Sequence, residues 1–482
     1  MDDFYKPAPS TDRPPQGHSF LSKIWDSIPI PPLILATLLL GPLLIFLTAQ
    51  LLLIGGPVDP EEEQENNSWM VLFQPVPWRV LESFFGIPKR SEEKYQKASE
   101  ELNSCNRFIL DEPHKTTILK ISLKNLERNI PQMISFISTP IDLQPWEHHA
   151  QTQFLSPLET ELNLPSLIRS MMGHALIPAA FGHALLEKHP SILQDMNELD
   201  LGRSYLLRNL PPWTPWPGVV KAHIARSRVW TALDDVQRVL DESTRDMGGG
   251  ADSTWGDLED VSLLVRKRNE IYRERKFEIK ERGDITILHS LLAHPTLLPL
   301  WQILHILSTP NLLPLIRTEI TPYAKVAKPF SIGAISEAPK LALSLEGLTT
   351  KCPLLRSTFL ETLRLVDRKW TSVSGGRMGN GEGIAFPETF DAERFLSTTS
   401  PGLSLTGGSE KEDASLNKSY TLIEQATLAL VAGILVFWDF EPVEKGAGWK
   451  VPEKLWIAGG GVAVPAGDLR VRIKRRKFEW MG

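Results

Sequence analysis

The chain has 482 residues, 42% of them hydrophobic and 23% charged, with a formal net charge of −6 and a pI near 6.1. That apolar fraction excludes wholesale disorder, and the acidic balance removes the electrostatic basis for nucleic-acid binding. Two cysteines, Cys105 and Cys352, cannot build a disulfide scaffold or a Cys-rich zinc site.

Residues 1–26 are polar and proline-bearing and read as a disordered tail. From Ser27 to Val58 no residue is charged, and Leu33 to Ile54 is almost entirely apolar. A bilayer core takes about 20 apolar residues in helix, whereas a signal-peptide core is only ~7–15 long. Residues 27–58 therefore predict a single retained transmembrane anchor. Pro29, Pro31 and Pro32 stand at its start, where a helix accepts proline, and Pro42 predicts a kink. The leading flank carries Lys6, Arg13 and Lys23, and the trailing flank Asp59, Glu61, Glu62 and Glu63. On that bias alone the N-terminus faces the cytosol. Residues 59–74 read as an acidic linker, and 75–482 as one soluble body.

Within the body, residues 94–370 read as helical runs separated by proline clusters such as 210–217. Strand character is confined to short pieces, 117–121 and 469–473 among them. The predicted class is mainly α with small β-sheets. In the central run 293–301, Pro295 and Pro299 are expected to kink or break the helix. Residues 354–365 form an amphipathic helix with Leu355, Phe359 and Leu363 at helical spacing, and Glu361 and Arg364 share a face at i, i+3. No P-loop, H-E-x-x-H, G-x-S-x-G or dinucleotide fingerprint is present. The basic tail 470–477 alternates Val471 and Ile473 with arginine, which reads as a strand rather than a nucleic-acid patch.

Glu361-Thr362-Leu363-Arg364 resembles the ExxR signature of the cytochrome P-450 family, the haem-thiolate monooxygenases. Residues 386–395 resemble that family's later arginine-bearing segment, with Arg394 as its arginine. The resemblance covers roughly residues 75–476. Residues 164–182 resemble the membrane-bound, prostacyclin-synthase-like branch common in fungi. It implies a cytochrome P-450 fold preceded by one transmembrane helix, a haem cofactor and a lipophilic small-molecule substrate. Glu361, Arg364 and Arg394 would then form a structural core beneath the haem. A flavin reductase would donate electrons to any monooxygenase. The family topology implies a single-pass protein of the endoplasmic reticulum with its body on the cytosolic side, against the Lys/Arg count.

Three departures from the pattern shape the expected function. The resemblance places the haem-ligating cysteine nine residues before Glu424, where this chain has Ser415, a hydroxyl far less readily ionised than a thiol. Cys352 lies on the approach to the ExxR helix and reads as a small buried residue, and Cys105 lies in an N-terminal helical region remote in sequence from any haem loop. Second, only 30 residues separate Arg364 from Arg394, and the Gly-rich stretch 374–383 replaces strands that the family uses to line its pocket. Third, the acid–alcohol pair of the central helix is absent. His294 and Trp301 are the candidate pocket-helix residues. His289, His294 and His305 read as hydrogen-bonded histidines rather than iron ligands, and no metal ligand is assigned.

The expected function is a degenerate member of the family in specialised (secondary) metabolite biosynthesis, acting on a lipophilic small molecule. Two alternatives stay open. One is a working haem-dependent monooxygenase, if the ligand is compensated or the gene prediction is faulty. The other is a non-catalytic scaffold for partner enzymes.

Overall fold

The computed structural model describes residues 40–45, 48, 73, 75–245, 255, 258–328, 331–332, 335–336, 339–367, 388–396, 410–444, 448–456 and 461–478. The chain divides into two compact units, Met1–Val58 and Asp59–Gly482. In the first, residues 40–45 are helical. The Thr48 hydroxyl donates to the Leu44 carbonyl at 2.8 Å. The rest of the expected anchor, like the tail and most of the linker, lies outside the described residues.

In chain order the second unit contains α1 (Trp78–Ser83), α2 (Glu92–Ser104), α3 (His114–Asn129), β1 (Gln153–Ser156), β2 (Glu159–Asn163), α4 (Leu164–Phe181), α5 (Ile192–Leu201), α6 (Pro217–Arg245) and α7 (Leu263–Glu274). It continues with α8 (Ile285–Ser308), α9 (Leu312–Ile320), β3 (Ala324–Ala327), β4 (Lys340–Leu343), α10 (Pro353–Val366) and α11 (Glu410–Phe437). It closes with β5 (Trp438–Pro442), β6 (Lys454–Leu455), β7 (Val464–Pro465) and β8 (Arg470–Arg475). The core is helical. Helix α8 packs against α4, α10 and α11, and α3 packs against α4 and α11.

Two expectations need correction. Residues 117–121 are not a strand but part of α3. The Thr-Thr-Ile run favours a strand locally. Ile118, Leu119, Ser122, Asn125 and Leu126 are nevertheless buried at helical spacing, and that packing outweighs propensity. Nor do Pro295 and Pro299 break the central helix, because α8 runs unbroken from Ile285 to Ser308. Each proline removes one backbone bond. Packing on α4, α10 and α11 keeps the helix whole, and the Thr296 hydroxyl donates to the Leu292 carbonyl.

Helix ends are set by local chemistry. At α4, the Asn163 side chain accepts from Ser166 N at 2.9 Å, and Pro165 occupies the first turn. Gly182 ends this helix at φ +83°, and a Cβ there would meet the Asp260 carboxylate at 2.5 Å. At α10, Cys352 is the N-cap residue but its side chain does not cap. The Glu319 carboxylate accepts from Leu354 N and Leu355 N, both at 2.8 Å.

The four-stranded antiparallel sheet has the order β1-β2-β8-β5. Val471 pairs with Leu162 and Ile473 with Thr160, and the two β8 side chains are fully buried. The alternate basic residues face out and meet carboxylates, Arg470 with Glu161 and Lys474 with Glu441, both at 2.7 Å. Charge in this tail therefore serves strand pairing. Strands β3 and β4, and β6 and β7, form two-stranded antiparallel ribbons. Helices α8 and α11 are long and apolar enough to cross a bilayer by length and composition, and both are mostly buried in the body, as core helices are.

Candidate functional site

Glu361 is completely buried on α10 and each of its carboxylate oxygens accepts two bonds. Oε1 takes Arg364 Nη2 at 2.8 Å and Asp391 N at 3.1 Å. Oε2 takes Arg364 Nε at 2.8 Å and Arg394 Nε at 3.1 Å. One helical turn places Arg364 against Glu361, and the segment 388–396 folds back to bring Arg394. Phe395 N donates to Ser357 Oγ at 3.0 Å and fixes that segment on the same helix. Phe386 and Pro387 lie outside the described residues.

Helix α8 holds the histidines and Trp301. Trp301 is fully buried and its indole N–H donates to the Ala463 carbonyl at 2.7 Å. That bond seats the ring against the C-terminal segment, and Trp301 lines neither cavity described below. His294 is on the same helix, and its side chain lies outside the described residues. His289 Nε2 is 2.9 Å from Asp200 Oδ1 and 3.0 Å from Arg203 Nη2. Its ring meets Phe84 and Phe85 edge-on. Burial alone would raise the Asp200 carboxyl. The charges of His289, Arg203 and Arg169 override it and hold the group well below the usual carboxylate range.

His305 Nδ1 lies 3.1 Å from Thr362 Oγ1, and its ring stacks on Phe390 with centroids 4.5 Å apart. Burial, with the Lys454 charge adding to it, pushes the imidazolium down to about 3. The unfolded chain, near 6.5, takes up this proton first. The stabilisation from the neutral ring is complete above pH 6.5 and is lost as pH falls toward 3, by about 2 kcal/mol at pH 5. Urea titrations of wild type and His305→Gln are expected to show their stability gap shrinking by that amount between pH 7 and pH 5. A gap independent of pH would contradict this.

The thiols and Ser415 decide whether haem fits. Cys352 is fully buried, with Sγ 3.7 Å from the Glu319 carbonyl. Burial, with Glu319 nearby, pushes its thiol up to about 12. Cys105 is buried just beyond α2 and is raised in the same way. Neither is poised as a thiolate. Ser415 does not sit in a loop. It falls in the second turn of α11, its carbonyl accepting from Ser419 Oγ at 3.0 Å. Downstream, Glu424 is paired with Arg356 Nε at 2.6 Å. Among the described residues no three His, Cys, Asp or Glu side chains converge as a metal site. Among the described residues, the donors do not fit a haem-thiolate centre.

Two groupings have no motif to announce them. The first is a buried polar network joining Gln237 and Asp241 of α6, Arg268 and Asn269 of α7, and Arg282 and Asp284 at the head of α8. The second is a cavity of about 330 Å³ beside it, walled by α1, α2, α7 and the start of α8. Leu81, Leu102 and Ile287 make this cavity largely apolar. Two buried polar atoms on its lining residues, Trp78 Nε1 and Asn106 Oδ1, have no hydrogen-bond partner among the described residues.

A mainly helical body with small antiparallel sheets fits the cytochrome P-450 fold. No protein-family profile matches the chain. Two curated proteins are similar to part of it. The cytochrome P450 monooxygenase nodJ of Hypoxylon pulicicidum is 24% identical over 284 residues, 51% of this chain and 52% of that protein. The cytochrome P450 monooxygenase poxD of Penicillium oxalicum is 24% identical over 328 residues, 58% of each. The chain thus spans little more than half the length of the curated relatives it matches. Both of these similar proteins are cytochrome P450 monooxygenases by name, which supports a likeness of this chain to that family.

Proposed function

We propose that this chain is a membrane-anchored cytochrome P-450-type protein of fungal specialised metabolism, in the prostacyclin-synthase-like branch, that has given up thiolate-haem oxygen activation. Ser415 would mark the place of the lost ligand, and Glu361, Arg364 and Arg394 would serve as a structural lock. The anchor at 27–58 would hold the body on the cytosolic face of the endoplasmic reticulum. The body would hold a lipophilic small molecule in the largely apolar cavity beside α1 and α2. The chemistry left to it is non-oxidative, such as a cyclisation or isomerisation, or support of a partner enzyme.

One observation carries this reading. Both cysteines of the chain are packed away as neutral thiols, and Cys352 is committed to the head of α10. A pyridine-haemochrome assay and a reduced-CO spectrum of the purified full chain test it. The expected result is haem far below one per chain and no thiolate-type absorbance. Stoichiometric haem with a thiolate spectrum would overturn it.

A second reading, a working monooxygenase with a flavin reductase as electron donor, draws support from the fully bonded Glu361, which a relic has no need to keep. It requires a cysteine codon before Glu424, and transcript sequencing decides the point.

A further inference from the structure

We propose that a second cavity, walled by α4, α5 and β7, is a binding site for an organic monocarboxylate, with Arg169 as its anion receptor. The cavity measures about 400 Å³. Ser166, Arg169 and Ser170 line it from the first two turns of α4, spaced i, i+3 and i+4 so that they share one face. The positive end of the α4 dipole lies at the same place, near its Asn163 cap.

Arg169 is under-compensated. Its side chain is only 18% exposed, and its one ion pair is a loose 3.9 Å approach to Asp200 Oδ2. Asp200 is drawn the other way through its second oxygen, Oδ1, which Arg203 engages at 2.7 Å and His289 at 2.9 Å. The Arg169 guanidinium donates no hydrogen bond to any described residue. It therefore presents a planar fork of donors to the cavity, and that fork matches a carboxylate bidentately. Burial disfavours this cation more than the Asp200 charge restores it, and a further anion would relieve it.

The rest of the lining sets the class of ligand. Leu193, Leu297 and Val464 give an apolar wall for a hydrocarbon or aromatic body. Glu198 is a carboxylate in the same lining. It repels a doubly charged phosphate more than a singly charged carboxylate and so selects against the former. The site is separate from the thiols and from the cavity beside α1, and it stands whether or not the chain carries haem.

Calorimetric titration of the purified full chain with 4-phenylbutyrate and its neutral analogue 4-phenylbutanamide tests the assignment. The carboxylate is expected to bind at least ~10-fold more tightly than the amide, the range of charge-assisted hydrogen bonds. Arg169→Gln should erase that preference, and Glu198→Gln should tighten the carboxylate several-fold without changing the amide. Equal affinities in wild type, no binding of either probe, or a preference that survives Arg169→Gln would overturn it. Displacement of 4-phenylbutyrate by equimolar inorganic phosphate would also overturn it and reassign the site to free phosphate. Should Arg169→Gln fail to fold, the wild-type ratio and the Glu198→Gln response decide the matter without it.

Discussion

Glu361→Ala is expected to destabilise the body by about 3–5 kcal/mol, the cost of breaking a buried ion pair by removing one partner. Glu361→Gln is expected to cost nearly as much, which is the more telling result. The carboxylate accepts four N–H groups, two on each oxygen. A glutamine offers one oxygen and an NH₂ group. Whichever way the amide turns, two donors from Arg364, Arg394 or Asp391 face another donor across a buried contact. Urea unfolding of the two variants, read by far-UV circular dichroism, should place them within about 1 kcal/mol of each other, well inside the expected loss. A Glu361→Gln protein of near wild-type stability would show that the node is held by shape and not by acceptor count.

That node is legible in the sequence because its chemistry is local. Glu361 and Arg364 must share a helix face at i, i+3. Arg394 is tied to them only by the order of two short motifs, and the fold closes the gap through Asp391 N and Phe395 N. The helical class is legible for a similar reason, since amphipathic periodicity reports burial directly. Three things are not. The strand expected at 117–121 rests on β-branched residues, and long-range packing of α3 against α4 and α11 overrules it. Of the kink or break expected at Pro295 and Pro299, the break counts lost backbone bonds but not the packing that surrounds α8, and the helix runs on. The ligand position that the resemblance assigns to Ser415 follows from counting back from Glu424, and the chain there is already helical. Arg169 carries no local signal at all. Its significance lies in sharing Asp200 with Arg203 and His289, residues brought together from α5, the short helix after it and α8.

Asp284→Asn should lower stability by about 3–5 kcal/mol, and a second substitution, Arg268→Met, should restore much of the loss. Asp284 is completely buried at the head of α8. Oδ1 accepts from Arg268 Nε at 2.8 Å and Oδ2 from the Gln237 amide. Gln237 cannot turn its amide to suit an asparagine, because its own oxygen accepts from Asn269 at 2.9 Å and from Arg282 at 3.0 Å. Asp241 takes Arg282 through both oxygens, at 2.8 and 2.7 Å. The four buried charges therefore balance as two cations and two anions, and neutralising Asp284 alone leaves the Arg268 cation in excess. Arg268 also donates to Tyr272 at 2.6 Å and lines the cavity beside α1 and α2. Loss of the pair should therefore loosen that wall as well as the joint between α6, α7 and α8. A double-mutant cycle by urea unfolding is expected to give a coupling of about 2 kcal/mol or more between the two positions. Additive losses would mean that Arg268 finds adequate partners without Asp284, and that the network is not one electrostatic unit.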